Sequence, residues 1–329
     1  MSLNRRAADL LGRRATKLMA RSVAGRKVQR RINSMTAKTR FPLRAPRAPY
    51  GIDVRTDGPK VGADFSTDWA RSPQAKAARI AMVETVMRAA VAGIASPNRV
   101  NIDRLADLDG PAIFVANHHS HLDTSLLLTS IPLPWRHEMV VAAASDYFFR
   151  NRVTGALAAL TIGAIPIERA KVGRSSANLA ADVIDDGYSL LIFPEGGRSR
   201  DGWGQPFRGG AAYLSARCNA PVVPVYVGGS GRIWRKGSSK IRRGSTVINF
   251  GKPIWPGEGE SSRSFNKRIE AAVSVLGDET TADWYTARKR AYSGASPALG
   301  GPNAGSWRRQ WALGSTRKRK STEPRWPKV

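Results

Sequence analysis

The sequence is short of cysteine, of acidic residues and of long apolar runs. Only one of its 329 residues, Cys218, is a cysteine, so no disulfide can form within the chain and nothing indicates an oxidising compartment. The longest predominantly apolar run without a charged residue, 153–167, has 15 residues and is interrupted by two glycines and a proline. Because about 20 apolar residues are needed to cross a bilayer, we expect no membrane-spanning segment.

Acidic residues are scarce mainly at the two ends of the chain. The net charge is +28, from 53 Lys and Arg against 25 Asp and Glu. Residues 1–47 hold 14 basic residues against one acid, and residues 287–329 hold 11 against one. Most of the excess charge therefore lies in these two tails, which suit a polyanion such as the anionic face of a membrane or a nucleic acid.

The composition of the tails leaves several interpretations open. Apolar residues between Leu3 and Met19 recur at roughly helical spacing among Arg and Lys, as in an interfacial amphipathic helix. The poverty in acids also fits an organellar transit peptide, and a disordered solubilising arm is a third alternative. In the C-terminal tail three tryptophans interleave with basic residues, a mixture that suits membrane interfaces and single-stranded nucleic acid alike.

Histidine is also rare, and three of the four histidines lie in one heptapeptide. Residues 117–123 read Asn-His-His-Ser-His-Leu-Asp and directly follow the apolar run 112–116. A strand that ends in such a segment places it at the carboxyl edge of a sheet, where open α/β folds bind their ligands. Because histidine exchanges protons near neutral pH, this loop indicates proton-transfer chemistry.

His118 and Asp123 are the candidate catalytic pair. Side chains five residues apart on a regular helix point about 140° away from each other, so these two meet only if the chain turns between them. An Asp beside a His fixes the imidazole tautomer and stabilises the imidazolium. With no obvious nucleophilic Ser or Cys, the pair suggests a general base that acts directly on a substrate hydroxyl. The alternative is a metal-dependent hydrolase that uses His119, His121 and Asp123, although the further ligands such a site needs are not evident.

Three further motifs also lie on or after apolar runs. Residues 193–200, Phe-Pro-Glu-Gly-Gly-Arg-Ser-Arg, contain two glycines that let backbone amides approach a ligand, and an arginine beside them that can hold a phosphate. Residues 163–169 are predicted to form an apolar strand that ends in Glu-Arg. Val223-Pro224-Val225 is interpreted as a structural segment without a chemical role. On their own, these turns and strand ends are weak evidence of function.

The order of apolar runs predicts the fold class. Strand-like runs occur at 112–116, 139–144, 163–167, 189–193, 221–227 and 245–250, with helical stretches between several of them. This alternation is typical of an α/β fold with a mixed, largely parallel sheet flanked by helices. We expect a basic N-terminal arm (1–66) with an amphipathic helix, a single domain (67–286) and a basic, Trp-containing C-terminal tail (287–329).

Taken in order, the motifs resemble the conserved blocks of the glycerolipid acyltransferase family, typified by 1-acylglycerol-3-phosphate O-acyltransferase. The matching positions are Asn117, His118, Ser120 and Asp123; Gly163, Ile165, Ile167 and Arg169; Phe193, Pro194, Glu195, Gly196, Arg198 and Ser199; and Val223–Val225. A family-like segment also appears at 207–210. Two positions depart from the family pattern: Gly197 replaces the usual Thr, and His121 replaces a common aromatic residue.

The resemblance implies an acyltransferase domain, a reaction and a set of site residues. His118 would deprotonate an acceptor hydroxyl, which attacks the thioester carbonyl of an acyl-CoA or acyl-carrier-protein, while Asp123 orients His118. The substrate-binding residues implied are Arg169, Glu195, Gly196, Gly197, Arg198, Ser199 and Arg208. The expected acceptor is a lysophospholipid, most simply 1-acylglycerol-3-phosphate, which would give phosphatidic acid. An acyltransferase that acts on glycerol-3-phosphate or another lipid hydroxyl is the alternative, because these acceptors share the motifs.

The same resemblance sets expectations for cofactors, partners and location. It implies no cofactor and no metal, with the acyl thioester serving as co-substrate. Because the tails are basic and no spanning segment is evident, we expect a cytoplasmic enzyme peripherally associated with the inner face of the cell membrane. The tails would bind the anionic membrane surface, and no nucleic-acid partner is expected, since the charge lies outside the residues that carry the motifs.

Overall fold

A computed structural model of the protein describes residues 61–168, 174–199 and 202–301. They belong to a compact unit that begins at Pro59. The strands are β1 (Pro97–Val100), β2 (Ile113–Ala116), β3 (Met139–Ala144), β4 (Ala164–Ile167), β5 (Ser189–Ile192), β6 (Val222–Gly228) and β7 (Thr246–Phe250). The helices are α1 (Pro73–Met82), α2 (Arg88–Ala95), α3 (Leu122–Ser130), α4 (Ser145–Phe148), α5 (Arg152–Ile162), α6 (Arg174–Asp185), α7 (Gly210–Cys218), α8 (Ser230–Ile233), α9 (Ser262–Glu279) and α10 (Trp284–Tyr292). A π-helical turn, Val83–Met87, joins α1 to α2, and short 3-10 helices lie at Gly62–Asp64, Asp68–Arg71 and Ile102–Leu105.

The seven strands form one sheet in the order β1-β7-β6-β2-β5-β3-β4. Every neighbouring pair is parallel except β6 and β7, which run antiparallel. This confirms the predicted α/β fold with a mixed, largely parallel sheet flanked by helices. Because β2 and β5 are adjacent and in register, with Val115 beside Ile192, the loops that follow these two strands start side by side at the same edge of the sheet.

Apolar side chains are buried on both faces of the sheet, as expected for parallel strands that read as continuous apolar runs. On one face, residues of α2 and α3 pack against the sheet, among them Val91, Leu126 and Leu127. On the other face, α6, α7 and α9 contribute residues such as Ile184 and Phe265. Among the described helices, none is long and apolar enough to cross a membrane.

Helix ends follow from local sequence. The side chain of Ser72 accepts a hydrogen bond from the Ala75 N–H, and Pro73 occupies the first turn of α1. Helix α5 ends at Gly163, which has a left-handed φ of 64°. A Cβ at Gly163 would lie 2.9 Å from the Met139 carbonyl oxygen. Glycine is therefore required where α5 turns into β4.

Residues on both sides of the predicted domain, 67–286, pack against it. Phe65 is nearly buried, and its ring centroid lies 5.4 Å from that of Phe149. The final helix α10 crosses position 286, and the Leu299 carbonyl accepts a hydrogen bond from the Gly204 N–H at 2.8 Å. The remainder of the predicted arm and tail, 1–60 and 302–329, lies outside the described residues.

Candidate active site

The predicted pair, His118 and Asp123, meets at the carboxyl end of β2. His118 lies in the loop after the strand, and Asp123 lies in the first turn of α3. The turn between them brings Nδ1 of His118 to 2.9 Å from Oδ2 of Asp123. The Asp123 side chain is fully buried, whereas the His118 side chain keeps 18% of its surface exposed. The histidine can therefore reach a substrate while its partner stays out of water.

The Asp123 carboxylate is held by the loop that precedes α3. Besides His118, its Oδ2 accepts hydrogen bonds from the backbone N–H groups of His119 at 2.6 Å and Ser120 at 2.8 Å. Burial alone raises the pKa of Asp123, but the hydrogen bond from His118, together with other donors, outweighs it and leaves the pKa below its ordinary value. Asp123 is therefore an anion at neutral pH, suited to stabilise a protonated imidazole.

The His118 ring is fixed on a second side by stacking. Its centroid lies 4.2 Å from that of Phe193, with 22° between the ring planes. Since Nδ1 faces Asp123, Nε2 is the nitrogen that can take a proton from a substrate. Phe193 follows β5, so the adjacency of β2 and β5 in the sheet produces this contact.

Glu195 joins the two loops from inside the protein. Its Oε1 accepts the His118 N–H at 2.8 Å, and its Oε2 accepts the Gln205 N–H at 2.9 Å. The residue is only 2% exposed, and it is not among the residues that line the cavity beside His118. In this geometry Glu195, expected from the resemblance to bind substrate, holds the backbone of the loop that follows β2. The Ser199 N–H adds a hydrogen bond to the His118 carbonyl at 2.9 Å.

Glu195 should make stability depend on pH. Burial raises its pKa from 4.5 to about 7 against the effect of its two backbone donors. Between these values the folded protein keeps a proton that the unfolded chain has lost, so the free energy of unfolding falls as pH rises. The full effect is about 3 kcal/mol, present below pH 4.5 and lost above pH 7. Denaturant unfolding of wild type and Glu195→Gln, measured from pH 5 to 8, should show wild type losing stability relative to the variant.

A control for this prediction is Glu258→Gln, which changes an exposed glutamate in the same way. Its stability should follow that of wild type across the pH range. If the curves of wild type and Glu195→Gln ran parallel from pH 5 to 8, Glu195 would not titrate in this range.

A cavity of about 400 Å³ lies beside His118. Its polar wall includes His118, Gly196, Gly197, Arg198, Arg208 and Lys236, and its apolar wall includes Val141, Ile162, Ile167, Ile192, Phe193 and Leu214. The structure thus brings four of the predicted substrate-binding residues, namely Gly196, Gly197, Arg198 and Arg208, to one cavity with His118. Of the other three, Glu195 and Ser199 are buried and do not line the cavity, and Arg169 lies outside the described residues.

Gly196 illustrates why this loop contains glycine. Its φ is +68°, a conformation that other residues adopt only with strain. A Cβ at this position would also lie 2.8 Å from Nε of Arg208. The absence of a side chain therefore lets the Arg208 guanidinium lie against the loop that follows β5.

The segment after β6 also borders the site, although no sequence motif predicts it. Nζ of Lys236 donates a hydrogen bond to the carbonyl oxygen of Arg198 at 2.9 Å and lies on the cavity wall. The His121 ring lies 4.9 Å from that of Trp234. Burial, with the nearby charge of Arg198, lowers the pKa of His121. The basic and aromatic residues at 232–236 are the signal that could have pointed to this segment, but no motif marks them.

The metal-dependent alternative is not supported. Oδ2 of Asp123 already accepts three hydrogen bonds, from His118, His119 and Ser120. In the described ranges, no three side chains of His, Cys, Asp or Glu are placed so that they could hold a metal ion. The arrangement is instead that of a buried carboxylate, a partly exposed imidazole and a set of cations around one cavity.

Comparisons with known proteins match the chain to acyltransferases. The family model described as Acyltransferase matches residues 95–228. A Brassica napus protein named 1-acyl-sn-glycerol-3-phosphate acyltransferase BAT2, chloroplastic, is 32% identical over 158 residues, which are 47% of this chain and 44% of that protein. An Arabidopsis thaliana protein named 1-acyl-sn-glycerol-3-phosphate acyltransferase LPAT1, chloroplastic, is 30% identical over 163 residues, again 47% and 44% of the two chains. The chain thus spans about half the length of the curated relatives it matches.

A solved structure is similar in fold. The crystal structure of the 1-acyl-sn-glycerophosphate acyltransferase of Thermotoga maritima superposes with a TM-score of 0.52. The match covers 66% of this chain and 86% of that one, at 21% sequence identity. At this identity the likeness concerns the fold, and it confirms the architecture that the strand and helix pattern predicts.

Proposed function

We propose, from the premise that this chain belongs to the glycerolipid acyltransferase family, that it transfers a fatty acyl group from an acyl thioester to the hydroxyl of a lysophospholipid. The acceptor proposed is 1-acylglycerol-3-phosphate, and the product is phosphatidic acid. The observation that carries the proposal is the His118–Asp123 pair, joined at 2.9 Å, on the wall of a largely apolar cavity.

In the proposed reaction Nε2 of His118 removes the proton of the acceptor hydroxyl as its oxygen attacks the thioester carbonyl carbon. The tetrahedral intermediate then collapses: the carbon–sulfur bond breaks, and the leaving thiolate takes the proton back from His118. Ester and free thiol are the products. The buried Asp123 anion stabilises the imidazolium that exists between the two proton transfers.

The apolar wall of the cavity suits an acyl chain. Residues from β3, α5, α6 and α7 line it, and its volume of about 400 Å³ is within the usual range for ligand pockets. Each methylene buried there contributes about 0.8 kcal/mol to binding. We propose that this wall receives the hydrocarbon chain of a substrate, while the polar wall faces the head group.

Mass spectrometry of the products tests the proposed function. Purified protein would be incubated with an acyl-CoA or an acyl-carrier-protein thioester and with a panel of acceptors: 1-acylglycerol-3-phosphate, glycerol-3-phosphate and a lysolipid without a phosphomonoester. Phosphatidic acid formed at the expense of the thioester supports the proposal. An acylated product from another acceptor alone would keep the acyltransferase but replace the substrate, and free fatty acid alone would indicate a hydrolase.

The cations on the polar wall should recognise the acceptor phosphate. Each of Arg198→Ala and Arg208→Ala removes a charge-assisted contact worth about 1.5–3 kcal/mol, so we expect a loss of about 10- to 100-fold in kcat/KM with 1-acylglycerol-3-phosphate. Arg169→Ala is expected to act in the same way, as the resemblance implies. The loss should be much smaller with an acceptor that carries no phosphate.

The control is Arg217→Ala on α7, where the arginine contacts Asn178 at the surface and does not line the cavity. Its kinetics should match those of wild type with both acceptors. Equal losses with phosphorylated and phosphate-free acceptors would show that Arg198 and Arg208 support the loop rather than bind phosphate.

We also propose that the basic tails hold the enzyme on anionic membranes. Each basic residue near an anionic bilayer contributes about 1 kcal/mol. Replacing Arg317, Lys318, Arg319 and Lys320 by Gln in the full chain should therefore weaken binding to anionic vesicles at least tenfold, without reducing acylation of a detergent-dispersed acceptor. Co-sedimentation at low and high salt measures the binding, which should also fall with salt. Unchanged binding would place the anchor elsewhere in the chain.

A further inference from the structure

The turn after β6 lies against the loop between β2 and α3, which carries His118. The Ser120 hydroxyl donates a hydrogen bond to the Trp234 carbonyl at 2.8 Å, and the Trp234 N–H donates to the Ser230 carbonyl at 3.0 Å. A Cβ at Gly231 would lie 3.4 Å from Cβ of His119, which is ordinary contact distance. The first residue of α8, Ser230, therefore sits within the same packed cluster as the residues between His118 and Asp123.

Two buried polar atoms in this cluster remain to be accounted for. Oδ2 of Asp123 accepts three hydrogen bonds, but Oδ1 is buried and has no hydrogen bond to any other group in the described part of the chain. The hydroxyl oxygen of Ser230 is in the same situation, and Ser230 is 0% exposed. A buried polar atom left unpaired is costly, so such atoms are nearly always paired in folded proteins.

The Ser230 hydroxyl lies close enough to the Asp123 carboxylate to influence its pKa. Burial raises the pKa of Asp123, whereas His118 and, to a smaller degree, the Ser230 hydroxyl lower it. A hydroxyl hydrogen can rotate toward whichever acceptor is close. Pairing Ser230 with Oδ1 therefore satisfies both orphaned atoms at once.

We propose that Ser230 is a positioning residue of the acyl-transfer reaction: its hydroxyl donates to Oδ1 of Asp123 and holds the carboxylate with Oδ2 directed at His118. The inference rests on the proposed function of this site. Ser230 touches neither substrate nor the reacting atoms in this role, and it acts through Asp123 alone. The backbone N–H groups of His119 and Ser120 also hold Oδ2. Loss of the Ser230 hydroxyl should therefore let the carboxylate move more freely without detaching it from the loop.

The first test compares Ser230→Ala with Ser130→Ala. Ser130 is a matched control because it lies on α3, the helix of Asp123, and its hydroxyl is also buried without a partner among the described residues. Ser230→Ala should lower kcat about tenfold with KM changed less than twofold, whereas Ser130→Ala should change neither. Equal effects of the two variants on kcat, or a change confined to KM, would overturn the proposal.

A second measurement does not depend on activity. The low-field proton resonance of the His118 Nδ1–H, which reports its hydrogen bond to Asp123, should shift in Ser230→Ala and stay in place in Ser130→Ala. An unchanged resonance in Ser230→Ala would also overturn the role of Ser230. If wild type showed no acyl transfer but the resonance shifted as described, the proposed function would fail while the contact between Ser230 and Asp123 stood.

A third comparison covers the case in which Ser230→Ala does not fold. Ser230→Thr and Ser230→Val have side chains of nearly the same shape, so any steric strain is shared, and only Thr keeps the hydroxyl. Ser230→Thr should retain at least fivefold more kcat than Ser230→Val. Equal kcat values in this pair would count against the hydrogen bond.

Discussion

His118→Ala should lower the rate of acyl transfer by about 100- to 10,000-fold, the usual contribution of a positioned general base. The variant removes the imidazole that lies 2.9 Å from Asp123 and forms part of the cavity wall. The fold should survive, because the loop is also held through the His118 backbone, whose N–H and carbonyl bond to Glu195 and Ser199. Steady-state kinetics together with thermal unfolding would measure both quantities.

The other histidines provide the controls for this prediction. His137→Ala changes a histidine that contacts Glu84, away from the cavity, and should leave kcat unchanged. His119→Ala and His121→Ala should be milder than His118→Ala, since neither supplies the base. Losses from His119→Ala and His121→Ala as large as that from His118→Ala would instead favour a metal site. If the rate of acyl transfer by His118→Ala were within about threefold of the wild-type rate, His118 would not be the general base.

Most of the fold could be predicted because the central strands are apolar on both faces. The six strand-like runs found in the sequence all form strands, since each run is buried in the sheet. Strand β1 was missed: Pro97-Asn98-Arg99-Val100 lies at the edge, where only one neighbour, β7, pairs with it and polar side chains can face solvent. Helix α10 was missed for a similar reason, because only Ala287 of its nine residues is buried.

The candidate site, like the fold, could be predicted from the sequence only in part. His118 and Asp123 could be found because their chemistry depends on residue type and on a short spacing within one loop. Ser230 and Lys236 could not, because they reach the site through the pairing of β6 with β2, more than 100 residues away in sequence. Glu195 was assigned to substrate by resemblance, yet both its oxygens accept backbone hydrogen bonds. The hydrogen-bond partners of a buried side chain are set by the folded structure around it and cannot be read from a local motif.

The geometry around Asp123 also determines what Asp123→Asn would do. Oδ2 accepts hydrogen bonds from two backbone N–H groups, of His119 and Ser120, which an amide NH₂ cannot replace. The oxygen of Asn must therefore occupy the Oδ2 position and its NH₂ the Oδ1 position, where the proposed partner, the Ser230 hydroxyl, can accept a hydrogen bond. Nδ1 of His118 can still donate to that oxygen, so the variant keeps the tautomer and removes only the charge.

Loss of that charge alone should lower kcat by about 100- to 10,000-fold, because the imidazolium formed during the reaction loses the anion that stabilises it. Asp123→Ala is the contrasting variant: it leaves the N–H groups of His119 and Ser120 without their acceptor and should also destabilise the fold by about 1–3 kcal/mol. Measurements of kcat with a soluble acceptor and of stability by denaturant unfolding separate the effect on catalysis from the effect on the fold. An Asp123→Asn enzyme with wild-type kcat would show that His118 needs no counter-charge, and the base would then have to act by position alone.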